Sequence, residues 1–115
     1  MKIVDRDNPI SRTDLSSMAA AMFGDLVKAV VDVKREVMAV DAELHADEEA
    51  LLLARGSEQE DLWGINLYPA LYGREFVEFD SMINLRPSRG NRTRGVEDES
   101  LRERILEIVG EMVIP

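Results

Sequence analysis

Hydrophobic positions along the chain change period several times, and each change marks an element. Leu15, Met18, Ala19 and Met22 recur at i, i+3, i+4 and i+7, the stripe of an amphipathic helix. Ser11 is a good N-cap with Asp14 three residues on, Ile10 and Leu15 are spaced as a hydrophobic staple, and Gly24 supplies the stop. The period then shortens to two. Val27, Ala29, Val31 and Val33 share one face of a strand, with Lys28, Val30, Asp32 and Lys34 on the other. A turn near Lys34-Arg35-Glu36 returns the chain as a strand from Val37 to Asp41. Asp47 to Arg55 reads as a short helix, with acids in its first turn and Gly56 at its end.

A second hairpin follows. Trp63, Ile65 and Leu67 alternate with Gly64 and Asn66, a loop holds Pro69 and Gly73, and a long strand is expected from Phe76 to Leu85. In that strand Val77, Phe79, Ile83 and Leu85 face one way, and Glu78, Asp80, Met82 and Asn84 the other. Asp98 then caps a last helix with a stripe of Leu101, Ile105, Ile108, Val109 and Met112. Lys2 to Val4 reads as a short extra strand. The order (β)-α-β-β-α-β-β-α predicts an α+β fold. Its sheet is four- or five-stranded and mostly antiparallel, built from two hairpins, with helices packed on one face. The second face carries Lys28, Asp32, Asn66, Glu78, Asp80 and Asn84, and is expected to meet solvent.

Composition narrows the class. A chain of 115 residues with 45% hydrophobic and 32% charged residues fits one globular domain over residues 1–115. There is no cysteine, so disulfides and thiolate metal sites are excluded, and a reducing cytoplasm suits the chain. Met1 to Asp7 lack the apolar core of a signal peptide, and no apolar run approaches the ~18 residues of a membrane span. The net charge of −9 disfavours generic nucleic-acid backbone binding. That charge is unevenly spread. Eight acids stand against Arg55 alone between Asp41 and Asp61, whereas Arg86 to Arg94 hold four arginines and no acid.

Several blocks carry a resemblance. They are Met22–Asp32, Glu43–Leu53, Gln59–Pro69, Glu78–Asn84, and Arg86 through Asp98 with its Asn91-Arg92-Thr93-Arg94-Gly95 core. Together they resemble an uncharacterised family of small bacterial and archaeal proteins, classed as a domain of unknown function. Ala42 stands where that family usually has a turn glycine, and Glu99 where it has a helix N1 proline. The resemblance implies a shared fold and supplies no activity or cofactor.

Candidate chemistry therefore comes from residue types. Arg86, Arg89, Arg92 and Arg94 are interleaved with Ser88, Gly90, Asn91 and Gly95 just before a helix N-terminus. Guanidinium forks and inward-turned N–H groups bind phosphate or carboxylate. This makes Arg86, Arg89, Asn91, Arg92 and Arg94 an anion-site candidate. The plain alternative is that the arginines neutralise the chain's own acids, such as those around Asp47 and Glu60. His45, the single histidine, lies among carboxylates that suit a divalent metal or a general base. The plain alternative is a polar residue at a strand-to-helix junction. Asp32, Asp80 and Asn84 join His45 as catalytic candidates, and Asp32, His45 and Asp80 as metal ligands, provided the hairpins bring them to the loop. Otherwise Asp32 and Asp80 form structural pairs.

Three readings follow. The first is a small cytoplasmic binding domain whose arginine loop engages a phosphorylated or acidic ligand. The alternative is a metal-assisted enzyme acting on a phosphate-containing substrate. The third is a homo-oligomer in which the loop of one chain grips the acidic segment of another.

Overall fold

β-Branched residues at alternate positions build the centre of the sheet. The computed structural model describes every residue from Met1 to Pro115. Its elements are β1 (Lys2–Val4), β2 (Ile10–Ser11), α1 (Arg12–Ala21), β3 (Val27–Asp32), β4 (Val37–Val40), α2 (His45–Ala54), β5 (Leu62–Leu67), β6 (Val77–Glu78), α3 (Glu99–Met112) and β7 (Val113–Ile114). Five strands form one antiparallel sheet in the order β1-β4-β3-β5-β6. The fold is α+β with three helices, as the sequence pattern predicts. Two-residue β2 and β7 form a separate parallel pair that joins Ile10 to Val113, too short for periodicity to foretell. No helix is long and apolar enough to cross a membrane.

The predicted caps are in place. Ser11 Oγ accepts from Asp14 N–H at 3.0 Å, and Asp98 Oδ1 accepts from Ser100 N–H at 2.9 Å, so α3 starts at Glu99. The β3–β4 turn has no glycine because Asp32 holds it. Its Oδ1 accepts from Lys34 N–H and Arg35 N–H, both at 2.9 Å. Met22, expected on the inner stripe of α1, is 41% exposed, since the helix ends at Ala21.

Register assigns the two sheet faces. Val27, Ala29 and Val31 align with Leu67, Ile65 and Trp63, and this face carries the main core with Met38 and Val40. Leu15 and Ala19 of α1, and Ile105, Ile108, Val109 and Met112 of α3, cover it. The expectation that all helices share one face is corrected by α2. Val30, Ala39 and Leu62 form an apolar half on the second face, and Leu52 of α2 buries itself there with Leu51, Ile3 and Val37 around it. An apolar patch of that size gathers a helix rather than staying wet. α2 also begins two residues before the expected Asp47, at His45.

The second hairpin also differs from expectation. Of Phe76 to Leu85, Val77–Glu78 alone pairs with β5. Beyond Asp80 the chain leaves the ladder and runs over Gly64, where an added Cβ would lie 2.5 Å from Ser81 Cβ. Only glycine permits that approach. Met82–Asn84 is then a 3₁₀ turn.

Candidate functional site

The free edge of β5 decides where the arginine loop sits. β6 reaches only Asn66 and Leu67, so on the edge away from β3 no strand lies beside Leu62 and Gly64. Side chains replace it. Asn84 Oδ1 accepts from Gly64 N–H at 2.8 Å, and Asn84 Nδ2 donates to Gly64 O and to Arg94 O, each at 2.9 Å. Arg86 Nη2 donates to Leu62 O, and its guanidinium stacks 4.5 Å over the Trp63 ring. Burial pushes this guanidinium below its ordinary pKa.

Asn91 closes the loop from inside. Its Nδ2 donates to Asn84 O at 2.6 Å and to Gly95 O at 2.8 Å, and its Oδ1 accepts from Glu97 N–H at 2.9 Å. Gly90 supplies the left-handed backbone, φ 85°, that the turn after Pro87–Arg89 requires. The loop is thus fixed by its own buried amide, and the remaining arginines diverge. Arg89 pairs with Glu60 at 2.9 Å, which holds that carboxyl below the usual range. Arg94 pairs with Asp80 at 2.6 Å. Arg92 is exposed, and its guanidinium has no partner within the chain. Asn84, Arg86 and Asn91 therefore serve the fold here, and Arg89 and Arg92 face solvent.

A cleft of about 420 Å³ opens beside the loop, lined by Glu49, Gln59, Met82, Leu85, Arg86 and Arg89 among others.

A second polar group lies on the face shared with α2. His45 is the first residue of that helix and is buried, with Nε2 2.7 Å from Ile65 O. Burial lowers its pKa, against the opposing effect of that hydrogen bond, so the ring is neutral near pH 7, Nε2 donates and Nδ1 keeps a lone pair. The charges of Lys28, Asp80 and Arg94 act on it. Asn66, directly across from Lys28, donates to Glu78 Oε1 at 2.8 Å, and Tyr68 OH donates to the same oxygen at 3.0 Å. Burial also pushes the Tyr68 hydroxyl up. Glu48, fully buried, is raised to about 9 by desolvation, and its Oε2 accepts from Ala42 N–H at 3.2 Å. Its carboxyl is protonated at neutral pH.

Asp32 lies apart from this group. It sits at the far end of β3 from Lys28, ~13 Å at ~3.3 Å per residue, and its Oδ2 accepts from Ser57 Oγ at 2.6 Å. The charges of Asp80 and Arg94 reach His45, whereas Asp32 is held at the other end of β3 by Ser57 and the turn that follows it. Carboxylate oxygens of Glu58, Glu60 and Asp61 come within 4.8 Å of one another instead, on an exposed stretch. Sequence reasoning placed Asn66 on a sheet face expected to meet solvent and Glu48 and Glu49 among the acids around His45, whereas Asn66 and Glu48 are buried. The available signal for Glu48 was the i, i+3, i+7 spacing of His45, Glu48 and Leu52, which places all three on the inner side of α2.

Fold and site define a five-stranded antiparallel α+β protein whose open sheet edge is capped by a self-locked arginine loop. Residues 2–112 match the profile of a family described as "protein of unknown function (DUF5674)", and the chain belongs to that family. No curated protein and no solved structure matches.

Proposed function

We propose that the chain is a binding module whose arginine loop presents Arg89 and Arg92 to a phosphorylated or acidic ligand. One observation carries the reading. Asn91 fixes the loop from within, so its outward arginines are held on a rigid frame, with Arg92 free of any intrachain partner. Rigidly scaffolded loops are where binding groups concentrate. The Arg89–Glu60 pair is exposed on both sides and worth little, so a competing anion exchanges for it readily. In this reading the module is one domain, works in the cytoplasm of a bacterium or archaeon, and is repelled by bulk nucleic acid.

Thermal shift with inorganic phosphate and with polyglutamate, at low and high salt, tests it. A stabilisation that fades with salt and vanishes in the Arg89→Ala/Arg92→Ala double variant is expected. No stabilisation, or one that survives the double variant, sinks the reading. Because both arginines are exposed, the unliganded variant should melt within a few degrees of wild type.

A second reading, a metal-assisted enzyme on a phosphate-containing substrate, draws on the buried His45, on which the charges of the paired Asp80 and Arg94 act. Stabilisation by phosphate that requires Mg²⁺ or Mn²⁺ and is lost in His45→Gln would favour it.

A further inference from the structure

A second cleft opens between α2 and the β1–β4 edge of the sheet, and it shares no residue with the one beside the arginine loop. It has a volume of about 440 Å³ and is lined by Ile3, Asp5, Arg35, Val37, Leu52 and Arg55. One buried carboxylate shapes it. Asp32 is fully buried, and accepts from Arg35 N–H through Oδ1 at 2.9 Å and from Ser57 Oγ through Oδ2 at 2.6 Å. The β3–β4 turn is thereby tied to the chain leaving α2. Arg35 Nη1 adds a 2.7 Å bond to the carbonyl of Arg55, the C-cap residue of that helix. Two arginines are thus brought to one cleft on a fixed frame.

Neither arginine has an acid of its own. Glu36, next to Arg35 in sequence, pairs instead with Arg6 and Arg104. Neither Arg35 nor Arg55 forms an ion pair, although the chain carries a net charge of −9. Two like charges lining one cleft repel each other, and an anion between them relieves the repulsion. Asp5 sets the size of that anion's charge. Its Oδ1 accepts from Asp7 N–H at 2.9 Å and from Asn8 N–H at 2.8 Å, which fixes it at the rim. Two guanidinium groups against one carboxylate leave a single positive charge, which suits a monoanion better than a phosphate dianion. The rest of the wall is aliphatic, with Ile3 and Val37 half-buried over Leu52. The volume lies within the ~300–1,000 Å³ of small-ligand sites.

We infer that this cleft is a binding site for a small monocarboxylate with an apolar body. The Arg55 guanidinium and the unused nitrogens of Arg35 take the carboxylate oxygens, the pairing that guanidinium groups make best. The hydrocarbon body lies on Ile3, Val37 and Leu52, where its burial adds to affinity. The site is separate from the arginine loop in its residues and in its ligand, since a hydrocarbon body is required here along with the charge.

Titration of the intact, isotope-labelled protein with hexanoate, followed through its amide chemical shifts, tests the inference. Saturable shifts are expected at Arg35, Val37, Arg55 and Gly56. Hexanoate should bind about fourfold more tightly than pentanoate, from one more buried CH₂. Hexanamide, which lacks the charge, should bind ~10-fold more weakly. Arg55→Ala should cost a similar factor with an unchanged thermal melt, because that guanidinium pairs with no acid in the fold. Arg89→Ala/Arg92→Ala should bind hexanoate as the wild type does, so the loop reading and this one fail separately. The proposal is overturned if no saturable shift appears up to about 20 mM hexanoate, or if the shifts are confined to the arginine loop. Equal binding of hexanoate and hexanamide overturns it too, as does acetate binding as tightly as hexanoate. Undiminished affinity in Arg55→Ala has the same consequence.

Discussion

The two faces of the sheet are built on opposite principles. The face under α1 and α3 buries nineteen apolar residues in one cluster. The face under α2 has a four-residue apolar cluster, and beside it lie the buried polar side chains of Asp32, His45, Glu48, Asn66 and Asn84. The first face is held by area removed from water, which tolerates many sequences. The second is held by directed hydrogen bonds, and each depends on a particular donor or acceptor. Stability should therefore fail differently on the two sides: in proportion to volume on one, and group by group and with pH on the other.

Ile105→Ala should produce the largest effect, a loss of about 4 kcal/mol, because it empties a fully buried site on the main face. Urea unfolding should show it with little change across pH 5 to 9. Asn84→Ala should cost about 3 kcal/mol although it removes little volume. It strands Gly64 N–H, Gly64 O and Arg94 O without their partner. Hydrogen exchange at Gly64 should accelerate beyond the global change. A loss for Asn84→Ala below about 1 kcal/mol would erase the distinction between the faces.

Glu48→Gln sharpens the comparison most, since it should stabilise. The folded-state pKa of Glu48 is about 9 against an ordinary 4.5. Its contribution is therefore intact below about pH 4.5 and is lost as pH rises toward 9, because only the unfolded chain gives up the proton. Wild-type stability should decline over that range, and the glutamine variant should flatten the decline. At pH 8 the variant should therefore be the more stable of the two, and at pH 4 the advantage should be gone. His45 acts in the opposite direction. Its lowered pKa means that stability falls as the solution is acidified through the ordinary histidine range.

The same contrast explains what could be read in the sequence. Leu15 and Ala19, the β3 valines and the Ile105–Met112 stripe announce themselves by period, because area burial needs only a repeating apolar position. The caps at Ser11 and Asp98 are equally local, and both are present in the structure. Asn84 and Asn91 carry no such signal. Their partners are backbone groups of Gly64, Asn84 and Gly95, and a backbone group is the same whatever residue bears it. Alternation over Phe76–Leu85 accordingly suggested a strand, while the chain used Asn84 to imitate one. Arg86 presented a similar difficulty: composition marks a cation but not that it is turned inward to Leu62 O.

The placement of α3 has a consequence for synthesis. Every strand of the main sheet lies between Lys2 and Glu78, and α3, which closes its apolar face, ends only at Met112. At ~5–20 residues per second, translation leaves that face without its lid for a few seconds. A nascent chain at that stage displays valine, isoleucine and leucine side chains to its surroundings. Burial of those side chains is completed only when the residues of the last helix arrive.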